Sequence, residues 1–328
     1  MLTATKVRLY PNKKQANMLA QAFGCARWVW NNNLAKTQEV YKETGKGLGQ
    51  FEMTARLPQL KKEFEWLNEP YAQTLQSACM HLSRAFVNFF ERRTKYPKFK
   101  SKHGKQSASY PQGVKVVDGC KVQLPKIGHV KAVIHREIVG VIKTCTVSKN
   151  AAGEYHISIL TEDGADAPDV SYDGKVLGID VGLEHFAVTS DGSKFDSERF
   201  FQKAHKNLKR KQQKLSRKVK GSKNRDKAKL SVAKCHNKVS NQRKDYLHKL
   251  STRIVNENQV VAVEDLNVRG MMKNRKLAKS IGDAGWGMFS AFLKYKAARA
   301  GKGYIEVNRF FPSSKLCSTC LTKNRTCH

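Results

Sequence analysis

The stretch Lys175-Val-Leu-Gly-Ile-Asp-Val-Gly-Leu-Glu-His-Phe-Ala-Val-Thr-Ser-Asp-Gly192 decides the fold of this chain. The short apolar run from Val176 to Ile179 is rich in residues that favour strands, and it predicts a strand buried on both faces. Asp180 interrupts this run, and a carboxylate among apolar strand residues is costly unless a cation or hydrogen-bond donors satisfy it. Phe186 to Thr189 predicts the next strand, and Asp191-Gly192 predicts a tight hairpin turn.

A second strand, later in the chain, repeats this arrangement. Gln259 to Val263 is largely apolar and ends at Glu264, after which a loop begins. Two strands that each deliver a carboxylate favour a metal site, because hard cations need clustered carboxylates. Gly182, just after the first carboxylate, indicates a bend or a close approach of the chain. The alternative is that Asp180 is a buried residue that caps a turn.

The charge balance points to a polyanionic partner. The chain of 328 residues contains 61 Lys and Arg against 27 Asp and Glu, a net charge of +34. Such an excess favours nucleic acid, with a basic membrane-surface protein as the alternative. We expect no membrane span and no secretion, because the sequence has no long apolar stretch and no apolar signal segment. Most of the eight cysteines stand singly, as reduced thiols do. We therefore expect a cytoplasmic, nucleoid-associated prokaryotic protein, of oligomeric state that the sequence leaves open.

Hydrophobic periodicity divides the first half of the chain into a helical and a strand-rich part. Helical spacing of apolar residues covers Lys13 to about Val40, Thr54 to Leu67, and Tyr71 to Arg93. Residues 107–162 contain short runs separated by turn signals, which predict a small β-barrel. The predicted strands are Val114–Val117, Lys121–Leu124, His129–Ile134, Lys143–Val147 and Tyr155–Leu160.

The order of these parts predicts an insertion. Lys6 to Tyr10 alternates polar and apolar residues and predicts a first strand that completes the barrel. Residues 1–10 and 107–162 would then form one domain, and residues 11–106 a helical lobe inserted into it. Residues 163–174, which are rich in Asp, Gly and Pro, would be a linker.

Two basic segments are candidate nucleic-acid contacts. Arg199 to Arg253 contains 20 Lys and Arg and two acids, and it predicts a basic helical hairpin over 199–256 that lies along a phosphate backbone. Its candidate residues are Lys209, Arg210, Lys211, Lys214, Arg217, Lys218, Arg243 and Lys244. The segment from Lys95 to Lys105 mixes basic and aromatic residues, which suits phosphates and bases. Its candidates are Lys95, Tyr96, Lys98, Phe99, Lys100 and Lys102, with a solvated basic loop as the alternative.

Five motifs in this order resemble the TnpB family, the transposon-encoded RNA-guided nucleases related to type V CRISPR effectors. They are Gly178-Ile-Asp-Val-Gly182, Asn241-Gln-Arg-Lys-Asp-Tyr-Leu-His-Lys-Leu-Ser251, Val263-Glu-Asp-Leu-Asn-Val268, Asp283-Ala-Gly-Trp286 and Phe311-Pro-Ser-Ser-Lys-Leu-Cys-Ser-Thr-Cys320. The resemblance implies an α+β multidomain fold, with a helical recognition lobe inserted in an oligonucleotide-binding-like (WED-type) barrel. A RuvC/RNase H-like domain over residues 175–309 and a truncated zinc-ribbon region over 310–328 would follow. The implied partners are a guide RNA and double-stranded target DNA.

The resemblance also assigns site residues. Asp180 would be the first RuvC carboxylate and Glu264 the second, and both would bind Mg²⁺. The family pattern has a third, later aspartate, but after Glu264 this sequence contains only Asp265, Asp283 and Glu306. We interpret Asp265 as lying on a strand edge, Asp283 as the N-cap of a helix that begins there, and Glu306 as a mid-strand residue.

The prediction that follows is an RNA-guided DNA-binding protein with a vestigial, non-catalytic carboxylate pair, which acts in repression or targeting. Mg²⁺ would then be possible but not catalytic. Two alternatives stay open. One is an active or truncated RNA-guided DNA endonuclease associated with transposition. The other is a transposase or DNA-binding protein that uses no RNA, because a fold does not fix its chemistry.

Two further assignments follow from the resemblance. Cys317 and Cys320 are half of a zinc ribbon, and Cys327 with His328 would make a cramped site, so we expect no bound zinc. Gln73 and Gln76, together with Lys95 to Lys98 and Ser107 to Tyr110, lie where the family contacts the duplex beside the target. Glutamine suits the adenine edge in the major groove. The alternative for Gln76 is an ordinary exposed polar residue of a helix.

Overall fold

The computed structural model describes residues 1–308 and divides the chain into two compact units, one of residues 1–165 and one that begins at residue 166. The first unit joins a helical part to a seven-stranded sheet, and the second joins a five-stranded sheet to five helices within the described residues. The division falls inside the predicted linker of residues 163–174. The domain assignment itself stays a prediction.

The helical part of the first unit contains four α-helices. They are α1 (Lys13–Thr44), α2 (Gln50–Ala55), α3 (Leu57–Glu63) and α4 (Ala72–Phe90), with a short 3-10 helix at Glu65–Asn68. The helix α1 ends at Gly45, whose φ of 72° lies in the left-handed region that glycine adopts readily. The helical prediction for Thr54 to Leu67 is confirmed in three pieces, the end of α2, α3 and the 3-10 helix, and the backbone at Phe64, with φ −122° and ψ 87°, separates the last two.

The sheet of the first unit is curled and entirely antiparallel. Its strands are β1 (Leu2–Tyr10), β2 (Gln106–Tyr110), β3 (Lys115–Val117), β4 (Lys121–Leu124), β5 (Gly128–Val133), β6 (Val141–Lys149) and β7 (Tyr155–Glu162), in the order β2-β6-β7-β1-β5-β4-β3. Between β2 and β3 no strand pairing exists in the described residues, so the sheet is open where a closed barrel was predicted. The strand β3 has only three residues and offers few ladder hydrogen bonds.

The long helix α1 belongs to two hydrophobic cores. Leu19 and Phe23, in its first half, pack against the inward residues of the sheet, such as Val7 and Ile157. The second half packs into a separate helical core, which comprises Cys25, Ala26, Val29, Trp30, Leu34, Met53, Leu57, Leu60, Leu67, Leu75, Ala78, Cys79 and Leu82. Because one continuous helix contributes to both cores, helices and sheet of this unit are held together by burial of apolar surface.

The second unit has a mixed sheet. Its strands are β8 (Val176–Val181), β9 (His185–Thr189), β10 (Lys194–Asp196), β11 (Val260–Glu264) and β12 (Gly303–Val307), in the order β10-β9-β8-β11-β12. The strand β11 runs parallel to both β8 and β12, whereas β9 and β10 are antiparallel. Between β10 and β11 the chain forms α5 (Phe200–Ser216) and α6 (Lys223–Glu257), which pair as a helical hairpin.

One face of this sheet is covered and the other is accessible. The remaining helices are α7 (Val268–Met271), α8 (Ala278–Ala284) and α9 (Trp286–Arg299). Leu247 and Ile254 of α6 and Phe289 and Leu293 of α9 bury the covered face together with Ile179. The opposite face of β8 carries the exposed side chains of Val176 and Asp180.

Candidate carboxylate site and nucleic-acid interface

The parallel pairing of β8 and β11 brings Asp180 and Glu264 to one place. Val263 is aligned with Ile179, so the next residue in each strand is a carboxylate. Both carboxylates line one open groove of about 340 Å³, on the face of the sheet opposite the core. Asp180 is exposed and Glu264 is half-buried. The structure therefore unites the two acids that the sequence predicted as partners.

The prediction that β8 is buried on both faces is wrong. Val176 is 59% exposed, whereas Leu177 and Ile179 are 3% and 5% exposed, so the strand alternates between an accessible and a buried face. Asp180 lies on the accessible face. Because water reaches this carboxylate, its position needs no compensating charge to be tolerated.

The backbone around Asp180 is held by the hairpin that follows. Gly178 donates its amide hydrogen to Ser190 Oγ at 3.0 Å, which ties β8 to the turn after β9. In that turn Asp191 accepts hydrogen bonds from Thr189 Oγ1 at 2.6 Å and from the amide of Ser193 at 3.0 Å. These donors lower the pKa of Asp191 to about 2. The close approach predicted at Gly182 is confirmed, because a Cβ there would lie 3.0 Å from the His185 carbonyl oxygen.

The other acids that follow Glu264 do not join this pair. Asp265 donates its amide to the Val307 carbonyl oxygen at 2.9 Å. Glu306 lies beside Lys294 at 3.4 Å and accepts a hydrogen bond from the Tyr304 hydroxyl at 3.2 Å. Within residues 1–308, no cluster of three or more His, Cys, Asp or Glu could hold a metal ion.

The carboxylate pair nonetheless has the chemistry that a hard cation needs. Among the described residues, the side chains of Asp180 and Glu264 have no hydrogen-bond or ion-pair partner, so their carboxylate oxygens are available as ligands. Val188, Thr189, Ser190 and Ala262 line the rest of the groove with small or neutral side chains. Two carboxylates fit a single Mg²⁺ that keeps several of its waters.

Asp283 has a different place from the predicted one. It lies inside α8, and the helix that follows it, α9, has Gly285 at its N-cap, so the prediction that Asp283 caps that helix is wrong. Its carboxylate instead accepts hydrogen bonds from the amides of Phe201, at 2.9 Å, and Gln202, at 3.2 Å, in the first turn of α5. Asp283 thus caps a helix that begins more than 80 residues earlier in the chain.

The same carboxylate also pairs with Arg243 of α6. Arg243 Nη2 lies 2.9 Å from Asp283 Oδ1, and the two side chains are 19% and 8% exposed. Asp283 therefore connects three helices, α5, α6 and α8, at one end of the basic hairpin. Arg243, predicted as a nucleic-acid contact, has its guanidinium committed to this ion pair in the described structure.

Most of the other basic candidates on the hairpin are accessible. Lys209, Arg210, Lys214, Arg217 and Lys244 are exposed, and Lys211 and Lys218 are half-buried. Arg225 donates to the carbonyl oxygens of Leu215 and Lys218 at 3.1 and 2.8 Å, which satisfies the end of α5. The hairpin therefore presents several exposed basic side chains. Its helix α5 has hydrogen-bond partners at both ends, Asp283 at the first turn and Arg225 at the last.

The basic loop of residues 95–105 is anchored to α1. Trp30 Nε1 donates to the Lys98 carbonyl oxygen at 3.0 Å. Asn31 makes two bonds to the backbone of Lys100, at 2.8 and 3.0 Å. These three contacts anchor the backbone of the loop to α1 at Lys98 and Lys100. Lys95, Lys98, Lys100 and Lys102 remain exposed.

The two aromatic candidates of this loop differ. Tyr96 packs edge-on against Phe86 and Phe89, with ring centroids 5.7 and 5.2 Å apart. Phe99 is 56% exposed, and its ring is free to stack on a base. Both rings are accessible, because Tyr96 is still 40% exposed, but only Tyr96 also packs against α4.

The two glutamines on α4 also differ. Gln73 accepts a hydrogen bond from the Tyr71 hydroxyl at 2.8 Å and donates to Gln112 at 3.0 Å. Gln76 is exposed, and no partner for its amide is found in the described residues. Gln76 is thus the one whose amide is available to a base edge. Cys317 and Cys320 lie outside the described residues.

Two features escaped the sequence reasoning. The cap that Asp283 provides had one signal, the acid in Asp283-Ala-Gly-Trp286, but nothing indicated its partner helix. A cationic pocket around Arg27 and His81 had no signal, because these residues of α1 and α4 are far apart in the sequence and meet only in the folded unit.

No helix within residues 1–308 is both long enough and apolar enough to cross a membrane.

Comparison with solved structures identifies the class of fold. The chain resembles the protein in the "Cryo-EM structure of the Cas12f1-sgRNA-target DNA complex", with a TM-score of 0.58 over 99% of this chain and 92% of that chain. Sequence identity is only 13%, so this likeness concerns the fold. The chain is accordingly an α+β protein of the Cas12f1-like class.

Sequence comparison then gives the family. A protein of Streptomyces pristinaespiralis named "Putative RNA-guided DNA endonuclease" is 37% identical over 97% of this chain and 80% of its own length. InsQ of Escherichia coli, with the same description, is 33% identical over 97% of this chain and 83% of its own length. This chain belongs to the TnpB family, as its motifs predicted.

Family models match three parts of the chain. Residues 156–275 match the OrfB family of IS605, described as "Probable transposase", and residues 286–328 match the Cas12f1-like TNB domain. Residues 1–46 match a family described as a helix-turn-helix domain. In this structure those residues form the strand β1 and the whole of the single long helix α1.

Proposed function

We propose that this chain is an RNA-guided DNA-binding protein, which uses a guide RNA to hold double-stranded target DNA beside a short adjacent motif. The main support is that relatives similar to it over 97% of its length are named as RNA-guided DNA endonucleases. A net charge of +34 suits two polyanionic partners. In such a system base pairing reads the target, and the protein reads only the adjacent motif.

The accessible basic residues fit these partners. The hairpin of α5 and α6 would follow a phosphate backbone through Lys209, Arg210 and Lys214. In the first unit, the anchored loop would contact backbone and bases through Lys98 and Phe99. Gln76 would read the adjacent motif, because a glutamine amide can pair with both groups of an adenine edge. The helical lobe, the curled sheet and the carboxylate-bearing unit are assigned to the recognition, WED-type and RuvC-like parts.

We infer that the 328-residue chain binds target DNA without efficient cutting. Hydrolysis by two metal ions, about 3.5–4 Å apart, requires more ligands than two carboxylates supply. Asp180 and Glu264 would hold one Mg²⁺, which when bound would polarise a phosphodiester oxygen. Asp265, Asp283 and Glu306 have other partners or positions, and the pair therefore stays incomplete within the residues described. Repression or targeting is the role that fits binding without cleavage.

Two other functions have specific observations in their favour. The names of the relatives favour an RNA-guided endonuclease that cuts DNA. The description of the family that matches residues 156–275 favours a transposase that acts without RNA. RNA bound to the protein would exclude a transposase that acts without RNA. A cleavage assay would then distinguish RNA-guided binding from RNA-guided cutting.

The test of guide binding is the RNA that the protein retains. The chain would be expressed together with its flanking genomic sequence, purified at high salt, and its nucleic acid extracted and sequenced. The proposal predicts one enriched RNA, present at about one copy per protein. A variant with Lys209, Arg210 and Lys214 changed to glutamine should retain less of it. Purified protein that carries no RNA and binds DNA equally well would contradict the proposal.

A further inference from the structure

A pocket in the first unit combines Lys100, a candidate named above, with Arg27, Thr74 and His81, to which none of the assignments above gives a role. Its volume is about 420 Å³, and it lies between α1, α4, the basic loop and the strands β2 and β6. Arg27, His81, Lys100 and Lys105 line it, and none of its lining residues is acidic. A cavity with several cations and no carboxylate favours an anionic ligand.

The cations in this pocket are close enough to disfavour one another. Desolvation, together with the nearby Lys105, lowers the pKa of Lys100 to about 8. Desolvation, Lys100 and Arg84 lower the pKa of His81 below its ordinary value. The free energy cost of holding these charges together without a counter-ion would be relieved by a bound anion.

Thr74 gives an independent indication of a ligand. Its side chain lines the same pocket and is 1% exposed, yet its hydroxyl has no hydrogen-bond partner. Buried hydroxyls almost always have a partner, because an unpaired one is costly. The nearby Ser77 hydroxyl is already committed, since it donates to the Gln73 carbonyl oxygen at 2.8 Å. The Thr74 hydroxyl is therefore available to donate a hydrogen bond to a ligand in the pocket.

The cationic side chains are also held in position. Arg27 Nη1 donates to Gln106 Oε1 at 3.0 Å, which leaves most of its N–H groups for a ligand. Lys100 Nζ lies 3.6 Å from the centroid of the Trp30 ring, and its backbone is fixed by Asn31. Groups that are positioned before binding lose less entropy when the ligand arrives.

The volume and the lining of the pocket restrict the class of ligand that it can bind. Its volume is at the lower end of the range for small-molecule sites, about 300–1,000 Å³. Phe23, Ala26, Ala78 and Ala108 contribute apolar side chains to its lining. One phosphate with its attached sugar fits such a space, whereas a duplex does not.

We propose that this pocket binds one backbone phosphate of a nucleic-acid strand, with Arg27 and Lys100 as its cations and Thr74 as a neutral hydrogen-bond donor. This inference rests on the proposed function, because it assumes a nucleic-acid ligand. The phosphate belongs either to the guide RNA or to the target DNA, and both have the same chemistry at this position.

The test uses Thr74→Val, which removes the hydroxyl while keeping size and charge. In the free protein this change should leave the melting temperature unchanged or raise it, because an unpaired buried hydroxyl is removed. The affinity of the Thr74→Val protein for the nucleic-acid strand that supplies the phosphate should fall about tenfold, which corresponds to about 1.4 kcal/mol. A purely structural role for Thr74 would instead lower the melting temperature. Thr3→Val, in β1 and outside the pocket, is the control, because no hydrogen bond of the Thr3 hydroxyl is found in the described residues, and it should change neither quantity.

A charge variant gives a second measurement. Arg27→Gln should reduce the slope of log K against log salt by about 1, as expected for one lost phosphate contact. Lys62→Gln removes the same charge from the exposed surface of α3 and should leave the slope unchanged.

Two binding measurements identify the source of the phosphate. The first titrates RNA-free protein with the co-purifying RNA, transcribed in vitro; the second titrates guide-loaded protein with a DNA duplex that contains the matching sequence. Weaker binding of Thr74→Val in the first supports a guide phosphate, and weaker binding only in the second supports a target phosphate. Unchanged binding in both, with a wild type that binds, overturns the pocket assignment alone. A wild type that binds neither overturns the proposed function and the pocket assignment together.

Discussion

Replacing Asp283 with alanine should destabilise the second unit by about 3 kcal/mol. The change removes a helix cap, because the carboxylate accepts hydrogen bonds from Phe201 and Gln202, and such caps contribute about 1 kcal/mol. It also leaves Arg243 without its partner. Loss of one member of a fully buried pair costs about 3–5 kcal/mol. Because Arg243 is 19% exposed, we take about 2 kcal/mol for this contribution.

Thermal unfolding followed by circular dichroism measures this effect. For a unit of this size, about 3 kcal/mol should lower the melting temperature by about 6–12 °C. Asp283→Asn keeps one acceptor for the α5 amides but removes the charge beside Arg243, so its effect should be intermediate. Asp245→Ala is the matched control, since its ion pair with Lys249 is solvent-exposed and worth at most about 1 kcal/mol.

The reasoning would be refuted by a simple outcome. If Asp283→Ala melts at the same temperature as Asp245→Ala, the cap and the ion pair carry no net stability. A loss in Asp283→Asn as large as in Asp283→Ala would show that the ion pair with Arg243 accounts for all of it, and that the α5 cap is worth nothing.

Two further predictions concern nucleic-acid binding. Phe99→Ala should leave the melting temperature unchanged and weaken RNA or DNA binding measured by fluorescence anisotropy. Tyr96→Ala should lower the melting temperature, because the Tyr96 ring packs against Phe86 and Phe89. Equal binding by wild type and Phe99→Ala would exclude stacking by Phe99. Changing Lys209, Arg210 and Lys214 to glutamine should reduce the salt slope of binding by about 2–3. The same change at Lys13, Lys14 and Lys62 should not, and equal slopes for the two triple variants would contradict a backbone contact by the hairpin.

The carboxylate pair could be predicted from the sequence because it depends on local pattern. A short apolar run followed by an acid occurs at Asp180 and again at Glu264, and parallel strands bring their corresponding ends together. Burial was predicted less well. The run that begins at Val176 is apolar throughout, but only alternate residues face the core, since helices cover one side of the sheet alone.

Features that depend on distant partners could not be predicted. The strand β2, Gln106-Ser-Ala-Ser-Tyr110, has little apolar pattern, and it forms because β6 supplies a complete ladder. Asp283 looked like the cap of the helix that follows it, but tertiary packing places its carboxylate against the start of α5. The free hydroxyl of Thr74 likewise becomes visible only when α4 lies beside the sheet.

The central claim is that this 328-residue chain binds DNA through a guide RNA without efficient cleavage, and one measurement tests it most directly. Guide-loaded protein is incubated with Mg²⁺ and a DNA duplex that carries the matching sequence and a library of adjacent motifs, and both binding and strand scission are followed. The account predicts stable, guide-dependent binding with intact strands, and equal binding by wild type and Asp180→Ala. Efficient double-strand cutting by the wild type that Asp180→Ala abolishes would contradict it.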